Sequence, residues 1–241
     1  MEPVECAARS AEGIGSVPSY FMLDGATYER GGELGFEGFD FYTAGRGGPL
    51  GDVDGAVIAA AFVFFDHAQI AQSWDRGRKV SAPGESAAEF AGCLRKWARA
   101  HLADGPDYGR LAELAGRVTG GADLAAVPLF GAWRGMPEPD PPAELALHRL
   151  NLLRELRGGF HGAAVVTSGL SPMEALTVKT PFMAAVMGWT DPLPDAEPLR
   201  PAWEQAEQAT NVAMGRALAG LDAAERAELV ELVTEVQGAV V

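Results

Sequence analysis

Lysine is nearly absent from this chain: Lys79, Lys96 and Lys179 stand against sixteen arginines. Cysteine is as scarce. Cys6 and Cys93 alone exclude a disulfide framework and a structural zinc site. The four histidines show no H-x-x-x-H or H-E-x-x-H spacing, so no metal is expected. The longest apolar run, Ala56 to Phe65, has ten residues against about 20 needed to span a bilayer, so no membrane partner is expected. The start, Met1-Glu2-Pro3-Val4-Glu5, carries acids where a secretory signal needs basic residues, and the expected location is the cytoplasm. There is no P-loop, no dinucleotide fingerprint after a strand and no flavin or haem motif. No cofactor is therefore expected.

What is present is an ordinary globular composition. The 241 residues are 48% apolar and 22% charged, enough to bury a sizeable core. The net charge of −14 repels phosphate backbones and disfavours nucleic acid as a partner. The stretch from Ala202 to Val241 holds seven acids and two arginines, the reverse of a recognition helix, and suits packing or dimerisation better than DNA.

Helical periodicity recurs from about residue 54 onward. Asp52 or Asp54 can cap a helix running through Phe65, and Asp66 interrupts before a second helix over Ala68 to Arg78. Phe90, Leu94, Trp97 and His101 mark one face of a helix from Glu85 to Leu102. Another helix covers Asp107 to Val118. Pro137-Glu138-Pro139-Asp140-Pro141-Pro142 breaks the chain. It divides an N-terminal part, 1–136, from a C-terminal part, 143–241, as two domains or two layers of one. The longest helix signal follows, then Ser171-Pro172-Met173-Glu174 as a capping box and two tail helices. The expected fold is all-α and bundle-like, with a central buried helix around 143–166. Little or no β is expected, at most near Gly35 to Thr43.

Two places hold candidate chemistry. Gly45-Arg46-Gly47-Gly48-Pro49-Leu50-Gly51 has four glycines in seven residues, so its backbone can approach a ligand while Arg46 clamps a carboxylate or phosphate. The plainer alternative is a tight turn whose arginine pairs with a local acid. On the long helix, His148, Asn151, Glu155, Gly158, Gly159 and Gly162 fall within about one quarter of the circumference, and Arg154, Arg157 and His161 share another arc. His148, Glu155 and His161 are the candidate acid/base residues. Arg46, Asn151, Arg154 and Arg157 are the candidate substrate-binding residues. The alternative is that Glu155 pairs with an arginine and the histidines make internal hydrogen bonds.

Phe21-Met22-Leu23-Asp24, Asp40-Phe41-Tyr42, the run Ala44 to Val53, the run Ala146 to Gly158 with His161, and Gly169-Leu170 through Leu176 resemble an actinobacterial family of EvbL/SalK-type helix-turn-helix proteins. The resemblance runs from about Phe21 to Leu232. Longer relatives carry a winged-helix-like insert after the segment matching Gly188-Trp189, where this chain has only the Asp191 to Pro198 linker, and a histidine where it has Leu156. The leading expectation is a small-molecule-binding protein of bacterial specialised metabolism, with an anionic group as one option for its ligand, acting either as a binder alone or as a cofactor-independent acid/base enzyme of the isomerase, cyclase or lyase type. The alternatives are a ligand-responsive transcriptional regulator, or a degenerate relative of one, and a helical dimerisation scaffold. A homodimer fits each.

Overall fold

The computed structural model describes residues 1–102 and 105–240; Ala103, Asp104 and Val241, which fall inside the two expected parts, lie outside the described residues. The fold is all-α. Among the described residues there are twelve α-helices and no strand: α1 (Pro3–Leu23), α2 (Gly25–Glu33), α3 (Asp40–Gly47), α4 (Gly55–Phe62), α5 (His67–Val80), α6 (Pro83–His101), α7 (Tyr108–Gly121), α8 (Pro128–Arg134), α9 (Pro142–Thr167), α10 (Pro172–Lys179), α11 (Arg200–Leu218) and α12 (Ala223–Ala239).

The helix starts follow from the residues that precede them. The carboxylates of Asp24, Asp54, Asp66 and Asp107 accept from backbone N–H groups in the first turns of α2, α4, α5 and α7. Each satisfies a donor that the helix leaves unpaired, worth roughly 0.5–2 kcal/mol. Ser171 with Glu174, and Asp222 with Glu225, close full capping boxes on α10 and α12. Helices α6, α8, α9 and α10 open on a proline, where the missing N–H costs nothing.

Helix α9 is the axis of the molecule, packed against α1, α6, α7, α8 and α11. That environment explains its composition. Leu147, Leu150, Leu153, Leu156 and Val165 are all buried, on several sides of the helix at once. The N-terminal helix α1 lies across α9, α11 and α12 and so joins the two ends of the chain.

The segment from Gly35 to Gly51 departs from expectation. It is neither β nor a ligand-cradling loop: Asp40–Gly47 is helix α3, and Gly48–Leu50 adds a turn of 3-10 helix. The glycines serve close packing. A Cβ on Gly45 would sit 2.5 Å from Phe90 of α6, and one on Gly47 3.2 Å from Ile58 of α4. The predicted helix through Phe65 also ends early, at Phe62, because Val63 turns the chain with φ +38°.

Candidate functional site

The C-terminal half of α9 meets the joint between α4 and α5. Gly162 lets it come close, since a Cβ there would stand 2.9 Å from Val63, and Gly159 does the same for Val127. Gly158 is different: a Cβ there would meet nothing within 4 Å. It opens on a cavity of about 260 Å³ lined by Tyr42, Arg46, Phe62, Phe64, Phe65, Arg154, Arg157, His161, Met187 and Glu207, among others.

Arg46 reaches the cavity from α3, fully engaged. Its Nε and Nη2 each donate to the Glu155 carboxylate at 2.8 Å, its Nη1 donates to the Tyr42 hydroxyl at 3.1 Å, and its guanidinium stacks 4.5 Å over Phe62. Burial alone would favour neutral Arg46, but Glu155 and Tyr42 outweigh it and hold the guanidinium charged. Burial likewise pushes the Glu155 carboxyl up, and Arg46 with Arg154 overrides that and keeps it below its ordinary range. Arg154 shares the same carboxylate, donating Nη1 to Glu155 at 2.8 Å and Nε to Ser19 at 3.2 Å.

A second cluster lies one turn on. Arg157 donates to Glu207 at 2.8 Å and to the Asn211 side-chain oxygen Oδ1 at 3.0 Å. Burial outweighs the attraction of Glu207 and lowers the pKa of Arg157. His161 stacks on Phe64 with centroids 5.4 Å apart. Its Nδ1 lies 3.0 Å from Thr210 Oγ1 and 3.3 Å from Glu207. The Thr210 hydroxyl already donates to the Ala206 carbonyl, so its oxygen accepts from Nδ1–H and the neutral ring carries its lone pair on Nε2. Burial lowers the His161 pKa, with Arg157 adding to it and Glu207 opposing.

The structure therefore brings together Arg46, Arg154, Glu155, Arg157 and His161 from the sequence reading. It leaves His148 and Asn151 outside. Both are buried at the other end of the row, His148 with its ring centroid 6.4 Å from that of Trp133, and neither His148 Nε2 nor the Asn151 amide has a hydrogen-bond partner among the described residues. His148 thus does not line this cavity, because an arc on a helix buried all round points to several different neighbours. Glu207, Asn211 and Thr210 escaped the sequence reading. Their spacing of three and four residues on α11 is the local signal, and the net negative charge of the tail masks it.

His148 gives a pH prediction. Burial lowers its pKa from the ordinary 6.5 to about 4; Glu138 opposes this and Arg149 and Arg95 add to it. The unfolded chain therefore binds the proton more readily. Stability from this group is full above pH 6.5 and falls as the pH drops from 6.5 toward 4, by up to about 1.4 kcal/mol per pH unit. Chemical denaturation at stepped pH should show this slope, and His148→Leu should flatten most of it; an unchanged slope would assign the acid sensitivity to other groups.

Among the described residues no cluster of His, Cys, Asp and Glu has the form of a metal site, and no helix is long and apolar enough to cross a membrane. No curated protein and no solved structure matches the chain. A family model described as a helix-turn-helix family matches residues 7–241. That finding overturns the expectation that nucleic acid is disfavoured as a partner. The expectation rested on a net charge summed over the whole chain and on the acidic tail, and neither quantity describes the face that a particular helix offers. Matched over nearly its entire length, the chain belongs to this helix-turn-helix family.

Proposed function

We propose that the chain is a ligand-responsive regulator, in which α4 and α5 form the nucleic-acid-binding helix pair and the α9 cavity senses a small molecule. One observation carries this reading: the joint between α4 and α5 is also the wall of the cavity. Two helices linked by four residues, Val63 to Asp66, fit the helix-turn-helix pattern. Phe64 and Phe65 of that joint, with Phe62 at the end of α4, line the cavity. The segment after α10 ties the same joint down, with Asp66 N–H donating to the Met187 carbonyl and Trp189 Nε1 to the Phe64 carbonyl, both at 2.8 Å. Val63 is a β-branched residue at positive φ, a strain on the order of 1–3 kcal/mol of the kind found at switch regions.

Helix α5 suits the reading role better than α12. Gln69, Gln72, Arg76 and Lys79 are exposed within about 80° of its circumference, and Gln, Arg and Lys are side chains that read base edges and contact phosphates. The exposed face of α12 carries Glu231 and Glu235 instead. Arg76 is anchored by Asp40, with two bonds of 2.7 and 2.8 Å, which fixes its reach. The resemblance to EvbL/SalK-type proteins supports, as part of this proposal, a role in actinobacterial specialised metabolism in the cytoplasm.

Selection of duplexes from a random-sequence pool with the full chain, followed by anisotropy titrations, tests this. An enriched motif is expected. Lys79→Ala should weaken binding to all sequences and reduce the log–log salt slope by about 1, whereas Gln72→Ala should relax discrimination at one position. Failure to enrich any sequence would defeat the regulator reading.

A second reading rests on His161, whose Nε2 lone pair belongs to a neutral ring at the cavity. It makes the protein a cofactor-independent acid/base enzyme, with Arg154 and Arg157 holding the substrate. Product formation from pooled metabolites, abolished in His161→Gln, would support it, and turnover unaffected by that change would reject it.

A further inference from the structure

Resting on the ligand-sensing reading, we infer that the cavity takes a monoanionic carboxylate with a flat apolar body, its carboxylate seated at Arg154 and Arg157 and its body against Phe62, Phe64 and Phe65.

The charge count supplies the sign. Three guanidinium groups reach the cavity, Arg46, Arg154 and Arg157, against two carboxylates, Glu155 and Glu207. Glu155 is shared between Arg46 and Arg154, and His161 is held neutral by its burial. One positive charge is left over inside a partly desolvated site. Such a charge is stabilised by one anionic partner and not by two.

The geometry supplies the position. Arg46 has Nε, Nη1 and Nη2 all engaged, its planar fork facing Glu155, so it is a positioning residue that holds the carboxylate of α9 in place. Arg154 is the group without a carboxylate of its own. Arg157 is on the same arc three residues on, and Gly158 beside it leaves the space open. The body follows from the apolar lining, to which the end of α4 gives Phe62, the joint between α4 and α5 gives Phe64 and Phe65, and the segment after α10 gives Met187. A planar ring can stack there.

Titration calorimetry with 2-naphthoate, 2-naphthamide, 2-naphthylmethylammonium and 2-naphthyl phosphate separates the possibilities. The carboxylate is expected to bind, with the neutral amide and the cation at least about tenfold weaker. Arg154→Gln should weaken naphthoate by about tenfold or more and leave amide binding unchanged; Glu155 keeps Arg46, so the fold persists. Gly158→Leu should abolish binding while melting no lower than the parent, since it fills open space and replaces a mid-helix glycine. Equal affinity for the amide, tighter binding of the dianionic phosphate, undiminished binding in Gly158→Leu, or no naphthoate binding in the millimolar range would each overturn the inference. Nucleic acid enters none of these readouts. Binding of naphthoate without an enriched duplex would defeat the regulator and leave the ligand class standing; an enriched duplex without naphthoate binding would do the reverse.

Discussion

Glu155→Ala is expected to destabilise the protein by about 3–5 kcal/mol, lowering the melting temperature by roughly 6–20 °C. The reason is what remains. Arg46 is buried and loses both of its bonds to a carboxylate, and Arg154 loses its bond to the same group. An uncompensated buried guanidinium costs far more than the pair contributed while intact. Glu155→Gln keeps the shape and one acceptor and should fall between the parent and the alanine variant. The double variant Arg46→Met, Glu155→Leu removes both charges together and should be less damaging than Glu155→Ala alone. Denaturant titrations of these proteins together with the single variants Arg46→Met and Glu155→Leu decide it: a double variant as unstable as the sum of those two singles would show that the pair is not coupled. The acid limb follows from the same pair. The folded Glu155 pKa lies below its ordinary 4.5, so its contribution is complete above that value and is lost as the pH falls below it.

Trp133→Ala should cost about 3–5 kcal/mol by a different route. The indole is fully buried, with its ring centroid 6.5 Å from Phe90 of α6 and 6.4 Å from His148 of α9. Its Nε1 donates to the Arg46 carbonyl at 3.0 Å, so α8 holds the end of α3 that aims Arg46 at Glu155. Trp133→Phe keeps most of the volume and loses the hydrogen bond, and is expected to cost about 1 kcal/mol. Equal losses in the two variants would mean that the hydrogen bond, and not the packing, carries the effect.

Local chemistry was legible along most of the chain. Asp54, Asp66, Asp107, Ser171 and Asp222 announce helix starts because capping involves residues only two or three positions away. The first three helices were not legible. The buried face of α1 runs through Cys6, Ala7, Ser10, Gly13, Ile14 and Val17, and small residues on that face weaken the apolar period. Gly13 is there because Val233 of α12 comes within 2.5 Å of where its Cβ would be, a requirement set 220 positions away. The glycines of α3 misled in the same way. They read as a loop, while their use is the approach of Phe90 and Ile58.

Local residue pattern was enough for an all-α protein and for its longest helix. It also placed the arginines and His161 on one arc of that helix. All of these follow from residues within one or two turns of each other. What those side chains meet was set by the three-dimensional packing. It assigned Arg46 to Glu155 across 109 positions, brought Glu207 and Thr210 to His161, buried His148 away from the cavity and set the α4–α5 joint against Gly162. A helix surrounded on every side presents each of its faces to a different neighbour, and those neighbours are chosen by packing between segments far apart in the chain.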